Sequence, residues 1–465
     1  MWKNDISRRF SEVSSYKMTS SGKRQINRSL TPRRRGKSPV IFITVFFHLF
    51  LYAQAESLSI TEGPYLQQPT PQSIIVRWRT DTESDSEVKY GTSPGSYGAS
   101  AKDYAITTNH EIKITGLYPD TKYYYTAGSI DAQLAGDDED SFFFVAPAQN
   151  MSTAARIWVI GDPGTGSPTQ ISVRDAFYAY SKSRAADMIL SLGDNAYWGG
   201  SDIEFQEKFF DVYKSIMKNT PLWSAFSNHD GISSDSTTQS GPYYDSFSFP
   251  AKGEAGGVAS GTEAYYSFNF GDIHFISLDS YDSSRQTDGD MLLWLEEDLA
   301  DTEQKWILAF WHHPPYSFGT HNSDNERELY EMRANVLPII EKYGVDLVLT
   351  GHSHTYERSM LIKGHYGPSN TFTSEMAIDS SDGRPGGGGF YEKIVTGPGP
   401  APGTVYVVSG TSGRTGGIDK RHPVMVATST APGSLVIDID SDEINVVFLD
   451  YTGATLDSFT IVKDD

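Results

Sequence analysis

Between residues 58 and 147 apolar and polar positions alternate in short runs. Ser73-Ile74-Ile75-Val76-Arg77-Trp78, Glu87-Val88-Lys89-Tyr90 and His110-Glu111-Ile112-Lys113-Ile114 each read as a half-buried strand, separated by Pro, Gly, Ser and Asp. This part is expected to be all-β, with Trp78 in its core and Pro147-Ala148-Gln149-Asn150 as the linker that follows. From Arg156 the pattern changes. Ile157-Trp158-Val159-Ile160, the run from Met188 to Leu192, residues 221–226, Lys305 to Trp311 and Val345 to Leu349 are apolar stretches of strand length. Helical periodicity falls between them, over 168–184, 203–217 (Phe205, Phe209 and Phe210 on one face), 291–299 and 324–343. Tyr265 to Phe270 and Ile273 to Leu278 pair through the turn Asn269-Phe270-Gly271-Asp272. Later strands are expected at Val405-Tyr406-Val407-Val408 and Leu435-Val436-Ile437-Asp438, with loops at 386–389 and at Gly397-Pro398-Gly399-Pro400. Strands alternating with helices after an all-β segment predict an α/β or α+β body on a β-sandwich.

Composition adds a compartment and removes some partners. The 465 residues include no cysteine, which excludes disulfides, a disulfide-linked dimer and thiolate chemistry. The formal net charge is −21, yet residues 1–55 hold eleven Lys/Arg against two Asp/Glu, so the rest carries −30. Such a surface repels nucleic acid and anionic membranes. Within 1–55, Arg33-Arg34-Arg35-Gly36-Lys37 precedes an apolar run from Pro39 to Tyr52, and Ala53-Gln54-Ala55 matches a small-x-small cleavage site. The segment reads as a signal peptide cut near Ala55, making the protein secreted or periplasmic without stable membrane insertion. A retained anchor, and a start at Met18, stay open. The expected organisation is 1–55 signal, 56–147 β domain and 154–465 catalytic domain.

Candidate chemistry gathers where strands end. Asp162 lies in Gly161-Asp162-Pro163-Gly164, Asp194 and Tyr197 in Gly193-Asp194-Asn195-Ala196-Tyr197, Asn228 and His229 in Ser227-Asn228-His229-Asp230, His312 in His312-His313-Pro314-Pro315, and His352 and His354 in Gly351-His352-Ser353-His354. One polar residue after a strand is ordinarily a cap or a turn, and Asp194 alone reads equally as a helix N-cap with a packed Tyr197. Five such ends in succession deliver carboxylates, a phenol, an amide and imidazoles, a donor set that suits iron, manganese or zinc. Two such ions roughly 3.5–4 Å apart form a hydrolytic centre.

These five blocks resemble the metallophosphoesterases, and within them the purple acid phosphatases. Tyr197 marks that branch, and Tyr356-Glu357-Arg358 after the last histidine looks like its plant-type members. Gly116-Leu117-Tyr118-Pro119-Asp120-Thr121-Lys122-Tyr123 resembles the corner of fibronectin type III sandwiches. The resemblance implies a four-layer αββα catalytic domain and an acid phosphatase acting on small phosphate monoesters by attack of a metal-bound hydroxide. It implies Fe3+ on Asp162, Asp194, Tyr197 and His354, and zinc, manganese or iron as the divalent ion on Asp194, Asn228, His312 and His352, with Asp194 bridging. A phenol of ordinary pKa, ~10, is a poor ligand for a divalent ion, whereas a trivalent ion deprotonates it. His229 is expected to contact a phosphate oxygen, and His321 to stand near the leaving group, where a structural loop histidine is the alternative.

Several positions depart from the family pattern or stand outside it. Ser227 replaces a glycine, so its backbone must accommodate a side chain, and Ala309 replaces a valine. His312 is read as the ligand because Pro314 completes His-x-Pro, with His313 as the alternative. His274 reads as a core or edge residue, His110, His365 and His422 lack partner motifs, and Asp279 ends a strand near the site but reads equally as a turn cap. A phosphodiesterase or nucleotidase of the same fold, and a degenerate binding or adhesion protein, are the competing functions. The β domain reads as scaffolding, with a carbohydrate-binding surface as its alternative.

Overall fold

Long β-branched and aromatic runs give the N-terminal part its sheet. The computed structural model describes residues 57–149, 151–152, 154–394 and 399–463. The expected export segment over 1–55, Asn150 of the linker, and Gly397-Pro398 lie outside the described residues. Ile60–Thr70 pairs antiparallel with Ser73–Gly91, Leu66 opposite Val76. Register shifts between Arg79 and Ser86 divide Ser73–Gly91 into two halves with different neighbours. The first half lies between Ile60–Thr70 and Ala99–Thr115; the second lies between Ala99–Thr115 and Lys122–Gly128. Bulges bend a strand and increase its twist, so one six-stranded sheet encloses its own core of Leu66, Val76, Trp78, Val88, Ile114 and Tyr125. Trp78 stacks on His110 at 4.9 Å between ring centroids. His110, which the sequence left without a partner, spans the bulge, its two ring nitrogens each 2.8 Å from the hydroxyls of Thr80 and Ser86.

Two seven-stranded sheets form the centre of the larger part. One runs in the order Tyr391–Lys393, Thr455–Lys463, Glu443–Asp450, Gly433–Asp440, Ala155–Ile160, Met188–Ser191, Leu222–Ser224. The other runs Tyr266–Phe270, Ile273–Ser277, Trp306–Trp311, Leu347–Thr350, Val405–Ser409, Tyr356–Ser359, Met425–Ser429. Period-two alternation sets the layers. Along Trp306–Trp311, Leu308 and Phe310 join Ile437 and Phe448 of the facing sheet, while Ile307, Ala309 and Trp311 pack on Met291 and Leu295 of the helix Asp290–Asp301 and on Val336 and Ile340. On the outer face of the first sheet, Trp158 stacks flat on Phe177 of the helix Pro168–Tyr180, 4.2 Å away. The result is αββα, as the family resemblance implied.

Ser167 caps that helix, accepting from Gln170 N, and Pro168 takes the first turn, where its missing N–H costs nothing. The expected helix over 203–217 is helical from 202 to 217 but widens to a π-turn over Gln206–Phe210. The helix expected over 324–343 starts at Arg327 and carries a second π segment at Met332–Val336. Residues 57–465 form one compact unit. Tyr65 Oη donates to Ser246 O (2.7 Å), Arg77 to Ser248 Oγ (2.9 Å) and Asp245 O (2.7 Å), and Tyr125 Oη to Lys218 O (2.7 Å), so polar anchors join the N-terminal sheet to the larger part. Among the described residues no helix is long and apolar enough to cross a membrane.

Candidate metal centre

Ala155–Ile160, Met188–Ser191 and Leu222–Ser224 are parallel, as are Trp306–Trp311 and Leu347–Thr350. Parallel strands deliver their following loops to one edge, where open α/β sheets bind ligands. Asp162, Asp194 and His352 all adopt left-handed backbone, with φ of 55°, 55° and 63°. Non-glycine residues rarely accept that conformation, and strain of this kind clusters at functional sites. Two glycines make room for the cluster. A Cβ on Gly193 (φ 92°) would lie 2.5 Å from Ser227 Cβ, and one on Gly351 would lie 2.5 Å from Asp162 Oδ2.

The structure brings all seven residues expected to hold metal into one chain of close approaches. Tyr197 Oη is 3.1 Å from both Asp162 Oδ1 and His354 Nε2. His312 Nε2 is 2.9 Å from Asn228 Oδ1, 3.4 Å from Asp194 Oδ1 and 3.2 Å from His352 Nδ1. His312 Nδ1 lies 2.8 Å from Leu192 O and donates to it. The proton therefore sits on Nδ1, and Nε2 turns a lone pair toward a carboxylate, an amide and a second imidazole. The lone pairs that converge on His312 Nε2 fit a cation, and the carboxylates of Asp162 and Asp194 approach His312 together. The donor set is oxygen and nitrogen only, as hard or borderline ions require.

Electrostatics separate the two halves. Burial, with the charges of Asp162 and Asp194, raises the Tyr197 phenol well above its usual range, so only a strongly acidic ion would turn it into a ligand. Burial holds the Asp162 carboxyl up, but the hydrogen bond from His354 and the neighbouring imidazoles outweigh it and lower the pKa. Burial depresses His352 to about 4, which keeps its imidazole neutral and able to coordinate. Burial also lowers His312, but the carboxylates of Asp194 and Asp162 outweigh it and raise the pKa.

A supporting network that the sequence did not reveal lies beneath. Ser227 Oγ accepts from Asp194 N (2.7 Å) and donates to Asp230 Oδ2 (2.8 Å). Asp230 also accepts from Asn195 N and Nδ2, fixing the loop that carries Asp194 and Tyr197. The serine that replaces a glycine is thus used, not merely tolerated. In Tyr356-Glu357-Arg358, Glu357 accepts from Ser317 Oγ and Phe318 N, and Arg358 pairs with Asp457 at 2.7 Å. That triplet holds loops and is not among the close approaches of the cluster.

Other histidines divide by surroundings. His229 Nδ1 is 2.7 Å from Trp198 O and its ring lies 4.5 Å from that of Tyr197. His321 lies 3.7 Å from His352, ring to ring, with Nδ1 2.7 Å from Glu326 Oε2. It lines a cavity of about 290 Å³ together with Asn322, Glu326, Asp419 and Lys420. His313 Nδ1 is 2.9 Å from Ser280 Oγ, although its ring stands 4.3 Å from that of His352. His274 is buried between Asn269 and Asp298, and Asp279 accepts from the backbone of Tyr281, Asp282 and Ser283, a turn cap. His365 and His422 are fully buried, away from the cluster.

The family described as calcineurin-like phosphoesterase matches residues 155–356, and that described as purple acid phosphatase, N-terminal domain, matches 62–142. Purple acid phosphatase 15 of Arabidopsis thaliana is 28% identical over 320 residues, covering 60% of this chain and 57% of that protein. Phosphoenolpyruvate phosphatase of Allium cepa is 29% identical over 330 residues, covering 66% and 63%. The chain thus spans less than two thirds of the length of either. Among solved structures, purple acid phosphatase PPD1 from yellow lupin (Lupinus luteus) seeds superposes with a TM-score of 0.64 at 17% identity, over 87% of this chain and 75% of that one. The structure of PhoD superposes with a TM-score of 0.62 at 13% identity, over 88% and 91%.

Proposed function

The chain belongs to the purple acid phosphatases, within the calcineurin-like phosphoesterases, and from that premise we propose that it hydrolyses phosphate monoesters at a two-metal centre. Asp162, Asp194, Tyr197 and His354 would hold ferric iron; Asp194, Asn228, His312 and His352 would hold zinc, manganese or ferrous iron. Such a pair, when bound, lowers the pKa of water and offsets charge on phosphoryl oxygens. The observation that carries this reading is the convergence of seven donors from five strand ends, with Tyr197 Oη 3.1 Å from two of them.

The remaining steps belong to the protein. Leu192 O fixes the His312 tautomer, and Ser227 and Asp230 hold the Asp194 loop. His229 donates from Nδ1 to Trp198 O, so in its imidazolium form Nε2–H is the donor left for a phosphoryl oxygen. His321 donates from Nδ1 to the Glu326 carboxylate, so in its imidazolium form Nε2–H is the group that would pass a proton to the departing oxygen, leaving a neutral imidazole. We also read residues 1–55 as an export signal, and residues 56–147 and 154–465 as the two domains of the exported protein. Paired assays on a phosphomonoester and a phosphodiester from pH 4 to 8 test the proposal. Faster monoester turnover in the acid range is expected, and a protein that turns over only the diester contradicts it.

A further inference from the structure

Segment 413–416 crosses the cluster between two anchors. Thr165 Oγ1 and Ser167 Oγ donate to Gly413 O at 3.1 and 3.0 Å, and Gly416 N donates to His354 O at 2.8 Å. Arg414, held between them, has its guanidinium carbon 4.9 Å from the ring centroid of Trp198 and 5.8 Å from that of Tyr197. Stacking on a ring face leaves the five N–H donors of a guanidinium at its edge. Among the described residues the ring contacts with Trp198 and Tyr197 are the interactions seen for this guanidinium, with no hydrogen bond to an acceptor and no ion pair. Other enclosed arginines are paired: Arg285 with Glu331, Arg156 with Asp438, Arg358 with Asp457. Trp198 is 61% exposed, so the stack opens to solvent beside the cluster. An unpaired cation over the rings of Trp198 and Tyr197, on a chain of net charge −21, is thus left without an internal anion.

We propose that Arg414, backed by Trp198, determines specificity by binding a second anionic group on the substrate, beside the phosphate that is cleaved. A bidentate oxyanion, whether a further phosphoryl group or a carboxylate, matches its donor fork. This inference rests on the phosphoesterase reading of the site, but its test does not need turnover. Methylphosphonate, phosphonoacetate and methylenediphosphonate present one anion, an added carboxylate and an added phosphoryl group, and are titrated calorimetrically on the metal-loaded full chain. Arg414→Gln is expected to weaken at least one two-anion ligand about tenfold more than methylphosphonate, and Arg414→Lys to recover part of that margin. The ligand that loses more identifies the anion. Equal losses for all three ligands would make Arg414 a structural prop of Tyr197, and an unchanged margin would remove it from recognition; either overturns the inference. An inactive wild type that keeps the margin would instead refute the phosphatase reading alone.

Discussion

Single side chains carry the sharpest consequences. In the proposed two-metal centre Asp194 would be shared between the two ligand groups, so Asp194→Ala is expected to lose both ions and about a thousandfold or more in kcat; elemental analysis that still finds two metals per chain places the bridge elsewhere. Gly351→Ala would drive a methyl to 2.5 Å from Asp162 Oδ2, and is expected to weaken metal retention while far-UV circular dichroism stays native. Glu62 gives a pH prediction remote from the site. Burial lifts its carboxyl to about 7 against the opposing charge of Arg79, and both its oxygens lack hydrogen-bond partners. A pKa raised by folding means the native state binds the proton more tightly, so this contribution is complete below about 4.5 and is lost as pH rises through about 7. Glu62→Gln should therefore flatten the fall in stability across that window and gain up to about 3 kcal/mol at pH 8, measured by urea unfolding at both pH limits.

At the scale of elements, apolar runs ending in Gly-Asp or Asn-His were legible because a buried parallel strand must be continuously hydrophobic and its loop must turn at once. What ran on between them was not. Phe205, Phe209 and Phe210 were expected on one face and all three are buried, but Phe205 and Phe210, five residues apart, share it through the π-turn at 206–210, which no residue there signals. The N-terminal strands were foreseen, but not the bulge that folds them as one sheet, because Thr80, Ser86 and His110 reveal their joint purpose only when paired. Likewise Ser227, Asp230 and Glu326 support the site through contacts 33 residues away or across a loop turn, which leave no local pattern. Phe177, stacked on Trp158, fastens the helix Pro168–Tyr180 to its sheet. Phe177→Ala is expected to cost about 3–5 kcal/mol in chemical denaturation.

At the scale of the whole molecule, the N-terminal sheet and the catalytic layers fall in one compact unit, with Tyr65, Arg77 and Tyr125 anchored in the larger part. Calorimetry of residues 57–465 should accordingly record one cooperative transition; two well-separated transitions would mean that these anchors are weak. The central claim is that a buried phenol whose pKa lies far above neutrality becomes a ligand because ferric iron sits beside Asp162, Asp194 and His354. The visible absorption spectrum of the iron-loaded protein, wild type against Tyr197→Phe, tests it most directly. A phenolate-to-iron band that colours the wild type and vanishes in Tyr197→Phe is the predicted result; a colourless wild type with iron bound, or a band that survives the substitution, would contradict it.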